Sequence, residues 1–287
     1  MTQFLLALVL VSERPLLERS DSLIVGRAAC GAATWLLTDQ RQLVGVSVAN
    51  LSVVVHTVAG LNVSDRPWGL ACLADSSMWT LAAPRQLARV GIDGVVRERV
   101  AATLPRVGIF AAGDRLLVQQ FPIAAGAPVL VSTPPREPQQ IRAWPGLVGR
   151  FAGPREQQIA RNLVNCGIGS GGSLPCWFTD ENRVVISDGA RVRTIESPEL
   201  PPPLDRGMPI WDFALSRGGV QWLLATADPL ERRSARGGKR LYRTTAAGLR
   251  TSIDLPAAVR VILKVTDTEC VVLTAAGRAL EVGERPR

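Results

Sequence analysis

Six short apolar runs recur along the chain, four of them marked by tryptophan: Trp35 in TWLLTD, Trp79 in MWTLAA, Leu117 in RLLVQQ, Trp177 in CWFTDE, Trp222 in QWLLAT and Val272 in CVVLTA. The intervals between these markers are 44, 38, 60, 45 and 50 residues. A unit of that length is too small to enclose a core of its own, so it must bury its faces against neighbouring copies of itself. Each unit reads as short β-branched strands separated by Gly, Asp, Asn and Pro, and helical periodicity is scarce. In the second unit GLACLAD, SMWTLAA, QLARVGI and VVRERVA supply four successive strands. The last two join through Asp93-Gly94, a pair that accepts the left-handed dihedrals of a tight hairpin, and Asp188-Gly189 and Ala247-Gly248 hold the same place in later units.

Four-stranded units of this kind stack radially about an axis, which leaves only short edges. The expected fold is therefore all-β, a β-propeller of about six four-stranded antiparallel blades over 23–287. A long excursion at about 133–164, rich in Pro and Gln, accounts for the 60-residue interval. A seventh blade is the alternative reading of that excursion. The final unit shows three clear strands, VRVILKVT, ECVVLTA and RALEVG. A closed ring would take its missing outer strand from the N-terminal segment 1–22 or just beyond, between Pro15 and Val25. The same segment carries an apolar run, Phe4 to Val11, that is too short to span a bilayer. It reads equally as a strand or as the core of a secretory signal, although no Lys or Arg precedes it.

The phrases IWDFALSRGGVQWLLAT and GLACLADSSMWTLA resemble the bacterial six-bladed propellers of the NHL-like and TolB-like kind, a likeness of architecture from about Leu23 onward. That resemblance implies a ligand-binding or protein-binding role, and in some members a hydrolase or lyase activity, so the fold alone leaves function open.

Several chemistries find no support in the residues. The formal net charge is +8, but only Lys239 and Lys264 among the 33 basic residues are lysines, a bias of composition and not a phosphate-binding stripe. With one Tyr and six Phe the chain offers no basic run interleaved with aromatics, and no nucleic acid is expected. His56 is the only histidine and reads as structural; no cofactor and no metal site is expected. Gly167, Gly169 and Gly172 match the spacing of a dinucleotide-binding turn, but β-like residues follow where that motif needs a helix, so a hairpin explains them. The acids Asp65, Asp114, Asp205, Asp212, Asp254 and Glu269 fall mostly at turns.

Five cysteines cannot all pair within the chain. Cys166 and Cys176, flanking GIGSGGSLP, are the first disulfide candidate in an oxidising compartment, Cys30 and Cys72 on neighbouring inner strands the second, and Cys270 belongs to the core. A periplasmic or secreted location is the expectation.

One pattern points to binding. Arg27, Arg66, Arg106, Arg206 and Arg260, and less clearly Arg161, stand just before the first strand of their units, where a propeller chain enters each blade at the mouth of the central channel. Converging guanidinium groups there, with Trp68 and Trp211 beside them, would engage an anionic small molecule, an acidic peptide or a partner protein. The competing readings are a metal-assisted hydrolase or lyase with acids in the funnel, and an interaction module of an envelope assembly.

Overall fold

A computed structural model describes residues 6–17, 22–83, 85–101, 106–112, 115–120, 130–133, 163–168, 172–178, 183–187, 192–196, 210–226, 238–245, 247–256 and 258–286. All regular structure among them is β-strand. The first strand, β1 (Leu6–Pro15), is followed by a four-stranded sheet of β2 (Ile24–Cys30), β3 (Ala33–Thr38), β4 (Gln42–Ser47) and β5 (Val53–Thr57) in that spatial order. A second such sheet comprises β6 (Trp68–Cys72), β7 (Met78–Ala83), β8 (Gln86–Val90) and β9 (Val96–Ala101). Next come β10 (Arg106–Ala112), β11 (Arg115–Gln120) and β12 (Leu130–Thr133), which form a three-stranded sheet.

The strands β13 (Leu163–Ile168), β14 (Gly172–Phe178), β15 (Arg183–Ser187) and β16 (Val192–Glu196) share an eight-stranded sheet with β17 (Ile210–Leu215), β18 (Gln221–Thr226), β19 (Lys239–Thr244) and β20 (Arg250–Asp254). Among the described residues its two antiparallel halves meet through a short parallel pairing of β13 with β17, Gly167 opposite Ala214 and Ile168 opposite Leu215. The last sheet has the order β1, β23 (Arg278–Pro286), β22 (Glu269–Thr274), β21 (Val259–Val265).

Three of the strand markers share one cross-strand pairing. Trp35, Trp79 and Trp222 lie in the second strands of their units opposite Ala28, Ala71 and Ala214 of the first strands. A small residue on the inner strand leaves room for the indole, and the two together fill a space of fixed thickness between sheets. Trp35 is flanked on its other side by Gly45, where an added Cβ would stand 2.7 Å from the indole ring.

The apolar core is a series of layers. One buried cluster joins β2–β4 to β6–β8 through Leu37, Leu70 and Met78; another joins β6–β8 to β10 and β11 through Trp79, Ile109 and Val118. A third joins β17–β19 to β21–β23 through Trp222, Leu241 and Val272. The fourth, with Leu36, Val46, Val261 and Leu273, packs the last sheet against the sheet of β2–β5 and so brings the two ends of the chain together. Burial of apolar faces between successive sheets is the radial stacking expected from the repeat.

Two expectations change. The closing outer strand is Leu6–Pro15, upstream of the interval between Pro15 and Val25, because the run LALVLV alternates in register with β23 from Leu6 opposite Pro286 to Pro15 opposite Arg278. Leu163 and Val164, assigned above to the insertion, pair with Trp177 and Cys176 in β13 and β14; most of the remaining insertion lies outside the described residues. Among the described residues the second disulfide candidate is bonded, Cys30–Cys72, with Cα atoms 5.6 Å apart, bridging β2 and β6. The pairing of β13 with β14 sets Cys166 opposite Leu174 and Cys176 opposite Val164, and the side chains of both cysteines lie outside the described residues.

Candidate functional site

The inner strands carry the feature that shapes the centre of the molecule. β2, β10, β17 and β21 each contain an extra residue near their start, with register shifts at Ile24/Gly26, Arg106/Gly108, Ile210/Asp212 and Val259/Val261, and β6 is irregular between Trp68 and Ala71. A bulge flips the facing of the residues beyond it and bends the strand, so it re-aims side chains where the chain enters the sheet. Glycine also permits close approach there: a Cβ on Gly26 would stand 2.6 Å from the backbone of Gly69, which itself has φ +69°.

Asp212 stands just past the bulge of β17 and is buried, with Arg27 of β2 against it at 2.9 Å. Its other carboxylate oxygen accepts the Ile262 N–H of β21 at 2.6 Å, and the Phe213 N–H donates to the first at 2.9 Å. Arg27 donates in turn to the carbonyls of Ile262 at 2.7 Å and Phe213 at 3.3 Å. Burial pushes the Asp212 carboxyl above the usual carboxylate range, against the opposing pull of Arg27 and the two amide N–H groups. Burial likewise raises the thiol of Cys270, helped by the charge of Asp212. This constellation ties three inner strands together, and its donors and acceptors are used within the protein.

A cleft of about 640 Å³ opens on the face where the chain enters the inner strands, called here the front. It lies at the seam between the first and last sheets, with Ile24, Val44, Val53 and Val55 on one side and Leu273 and Ala275 on the other. Ser22, Thr38, Gln40, Gln42 and Thr274 supply hydroxyl and amide groups, and Arg260 supplies charge. Arg260 donates to the carbonyl of Ser22, which holds the guanidinium at the cleft wall. Its size and its mixture of an apolar floor with a few polar groups match a ligand-binding pocket.

The arginine pattern is thus placed as follows. Arg27 lies inside β2 and is committed to Asp212; Arg260 lies inside β21 and lines the front cleft; Arg66 is exposed two residues ahead of β6. Trp68, at the start of β6, is 57 % exposed. Arg106 begins β10 and Trp211 falls in β17, with side chains outside the described residues, as is the whole of Arg206. The acids also divide: Asp65 pairs with Arg99 at 3.3 Å and Asp254 with Arg240 at 2.5 Å. Among the described residues no three His, Cys, Asp or Glu side chains gather as a metal site. His56 packs against the β8–β9 hairpin, where a Cβ on Gly94 would stand 2.7 Å from the His56 Cβ. Sequence reading missed the front cleft because its walls come from opposite ends of the chain; the only written signal was the need for ring closure.

No protein-family model matches the chain, and no curated protein matches it in sequence. Among solved structures it is similar to virginiamycin B lyase from Staphylococcus aureus, at 9% identity and a TM-score of 0.55 over 97% of this chain and 99% of that one. A streptogramin B lyase matches at 11% identity and a TM-score of 0.55 over 98% of each chain. A gluconolactonase from Xanthomonas campestris matches at 12% identity and a TM-score of 0.53 over 95% of this chain and 89% of that one. At such identities the likeness concerns the fold alone, and it shows a β-propeller.

Proposed function

We propose that this protein is a non-catalytic binding propeller whose ligand, an anionic small molecule or an acidic segment of a partner protein, seats in the front cleft. The observation that carries this reading is Arg260 in the wall of a 640 Å³ cleft beside Gln40, Gln42 and Thr38, above a floor of valine and leucine. Exposed Arg66 and Trp68 at the start of β6 give the same face residue types that anchor protein interfaces. The ring is read as six blades: β2–β5, β6–β9, β10–β12, β13–β16, β17–β20, and β21–β23 completed by β1. An oxidising, exported location accords with the Cys30–Cys72 bond.

The test is a thermal-shift series with citrate, a hexaglutamate peptide, and Ca²⁺ or Zn²⁺ alone. The binding reading expects a saturable rise in melting temperature with one of the anions and a smaller rise in Arg260→Gln. Stabilisation by a divalent cation alone, with hydrolysis of a lactone or ester, would instead establish the enzyme reading suggested by the lyase and lactonase neighbours.

A further inference from the structure

On the opposite, rear face of the same seam lies a second cleft, of about 520 Å³, with Ala29, Thr34, Val48, Arg217, Lys264 and Asp267 in its walls. Lys264 is one of only two lysines in a chain that otherwise writes its basic positions as arginine.

Its placement there is built by the backbone. β21 has a second register shift, between Ile262 and Lys264, so Leu263 is an extra residue in the strand. In regular alternation Lys264 would share the face of Ile262, which is buried against Trp222 and Leu224. The bulge turns it to the other face, towards β2 and β3. The carbonyl of Leu263 accepts the buried Thr34 hydroxyl at 2.7 Å, so the bulge is fixed from the neighbouring sheet.

The turn that closes the cleft is fixed as well. Trp222 Nε1 donates to the Thr266 carbonyl at 2.9 Å, and Arg243 Nε and Nη2 donate to the Asp267 carbonyl at 2.9 and 2.6 Å. Arg243 is itself paired with Glu284 at 2.5 Å. The Asp267 carboxylate accepts the Ser216 hydroxyl at 2.5 Å and the Gly218 N–H at 3.1 Å. No hydrogen bond or ion pair among the described residues engages the Lys264 ammonium. Among the described residues the charged groups lining the cleft are Lys264, Arg217 and Asp267.

We infer that the rear cleft binds a small organic anion, a carboxylate or phosphate monoester on a compact apolar body, with Lys264 as its counter-charge. Small wall residues, Ala29, Gly31 and Ala33, leave space for the apolar part, and Val48, Leu263 and Val265 line it. The rigid turn lowers the ordering cost of binding.

Calorimetric titration of the full chain with benzoate, with phenyl phosphate and with inorganic phosphate tests the site. Saturable binding of benzoate or phenyl phosphate, weakened at least tenfold by Lys264→Met and unchanged by Arg285→Gln, is expected; which of the two binds identifies the anionic group. The melting temperature of unliganded Lys264→Met should match that of the parent chain. Equal loss in Arg285→Gln, equal binding by Lys264→Met, no binding of either organic anion, or inorganic phosphate binding as tightly as phenyl phosphate would each overturn the inference. Because neither variant touches the front cleft, these outcomes are independent of the function proposed there.

Discussion

Arg27 and Asp212, 185 positions apart in the chain, meet at 2.9 Å between the inner strands of the first and a late sheet, with both side chains about nine-tenths buried. The pair closes the interior of the ring, because its hydrogen bonds to Ile262 and Phe213 join β2, β17 and β21.

Removing one partner of a buried pair leaves an uncompensated charge, so Arg27→Met should cost about 3–5 kcal/mol of stability in urea unfolding. The loss should depend on pH. With its folded pKa raised above the unfolded value of 3.8, Asp212 contributes stability that is present below that value and lost as pH rises through the folded pKa. Arg27→Met removes a group that opposes this rise. The deficit relative to the parent chain should therefore be largest at neutral pH and shrink as pH falls; a deficit constant with pH would contradict the assignment.

The Cys30–Cys72 bond closes a sequence separation of 42 residues. Loop-closure entropy puts its contribution at about 4 kcal/mol. Cys30→Ser with Cys72→Ser should lower the melting temperature by the same amount as reductant lowers that of the parent chain. Peptide mapping without reduction should recover the two cysteines linked, with Cys270 alkylated only after unfolding because it is buried.

Gly26→Ala should be more damaging than an ordinary glycine substitution in a strand. The added methyl would lie 2.6 Å from the Gly69 carbonyl carbon, and backbone on both sides gives it no flexible neighbour to displace. A loss of about 1–3 kcal/mol or more is expected by thermal unfolding, against a few tenths for an alanine at exposed Gly31 corrected for its own positive φ.

A chain beginning at Leu16 tests whether the N-terminal apolar run is part of the fold. Without β1 the backbone of β23 becomes an open edge and the Glu13–Arg278 ion pair is lost, so lower stability and concentration-dependent association are expected in scattering measurements. Unchanged stability would show that the ring does not depend on this strand and would favour a cleaved signal.

The residues themselves determined the repeat. Trp35, Trp79 and Trp222 recur because each must fit opposite an alanine on the next strand inward, and Asp93-Gly94 and Ala247-Gly248 mark hairpins because Gly94 and Gly248 adopt φ of +77° and +81°. These are local constraints of strand pairing and turn dihedrals, so they are written contiguously and can be read from the chain. Only tertiary structure decided which cysteines meet, which arginine is buried against which acid, and where the clefts lie. Arg27 and Arg260 look alike in sequence, each near the start of a unit. A bulge in each inner strand and the seam between first and last sheets send one into an ion pair with Asp212 and the other into the wall of an open cleft. Facing across a bulge and proximity across a ring closure depend on the assembled sheets, which no local pattern of residues encodes.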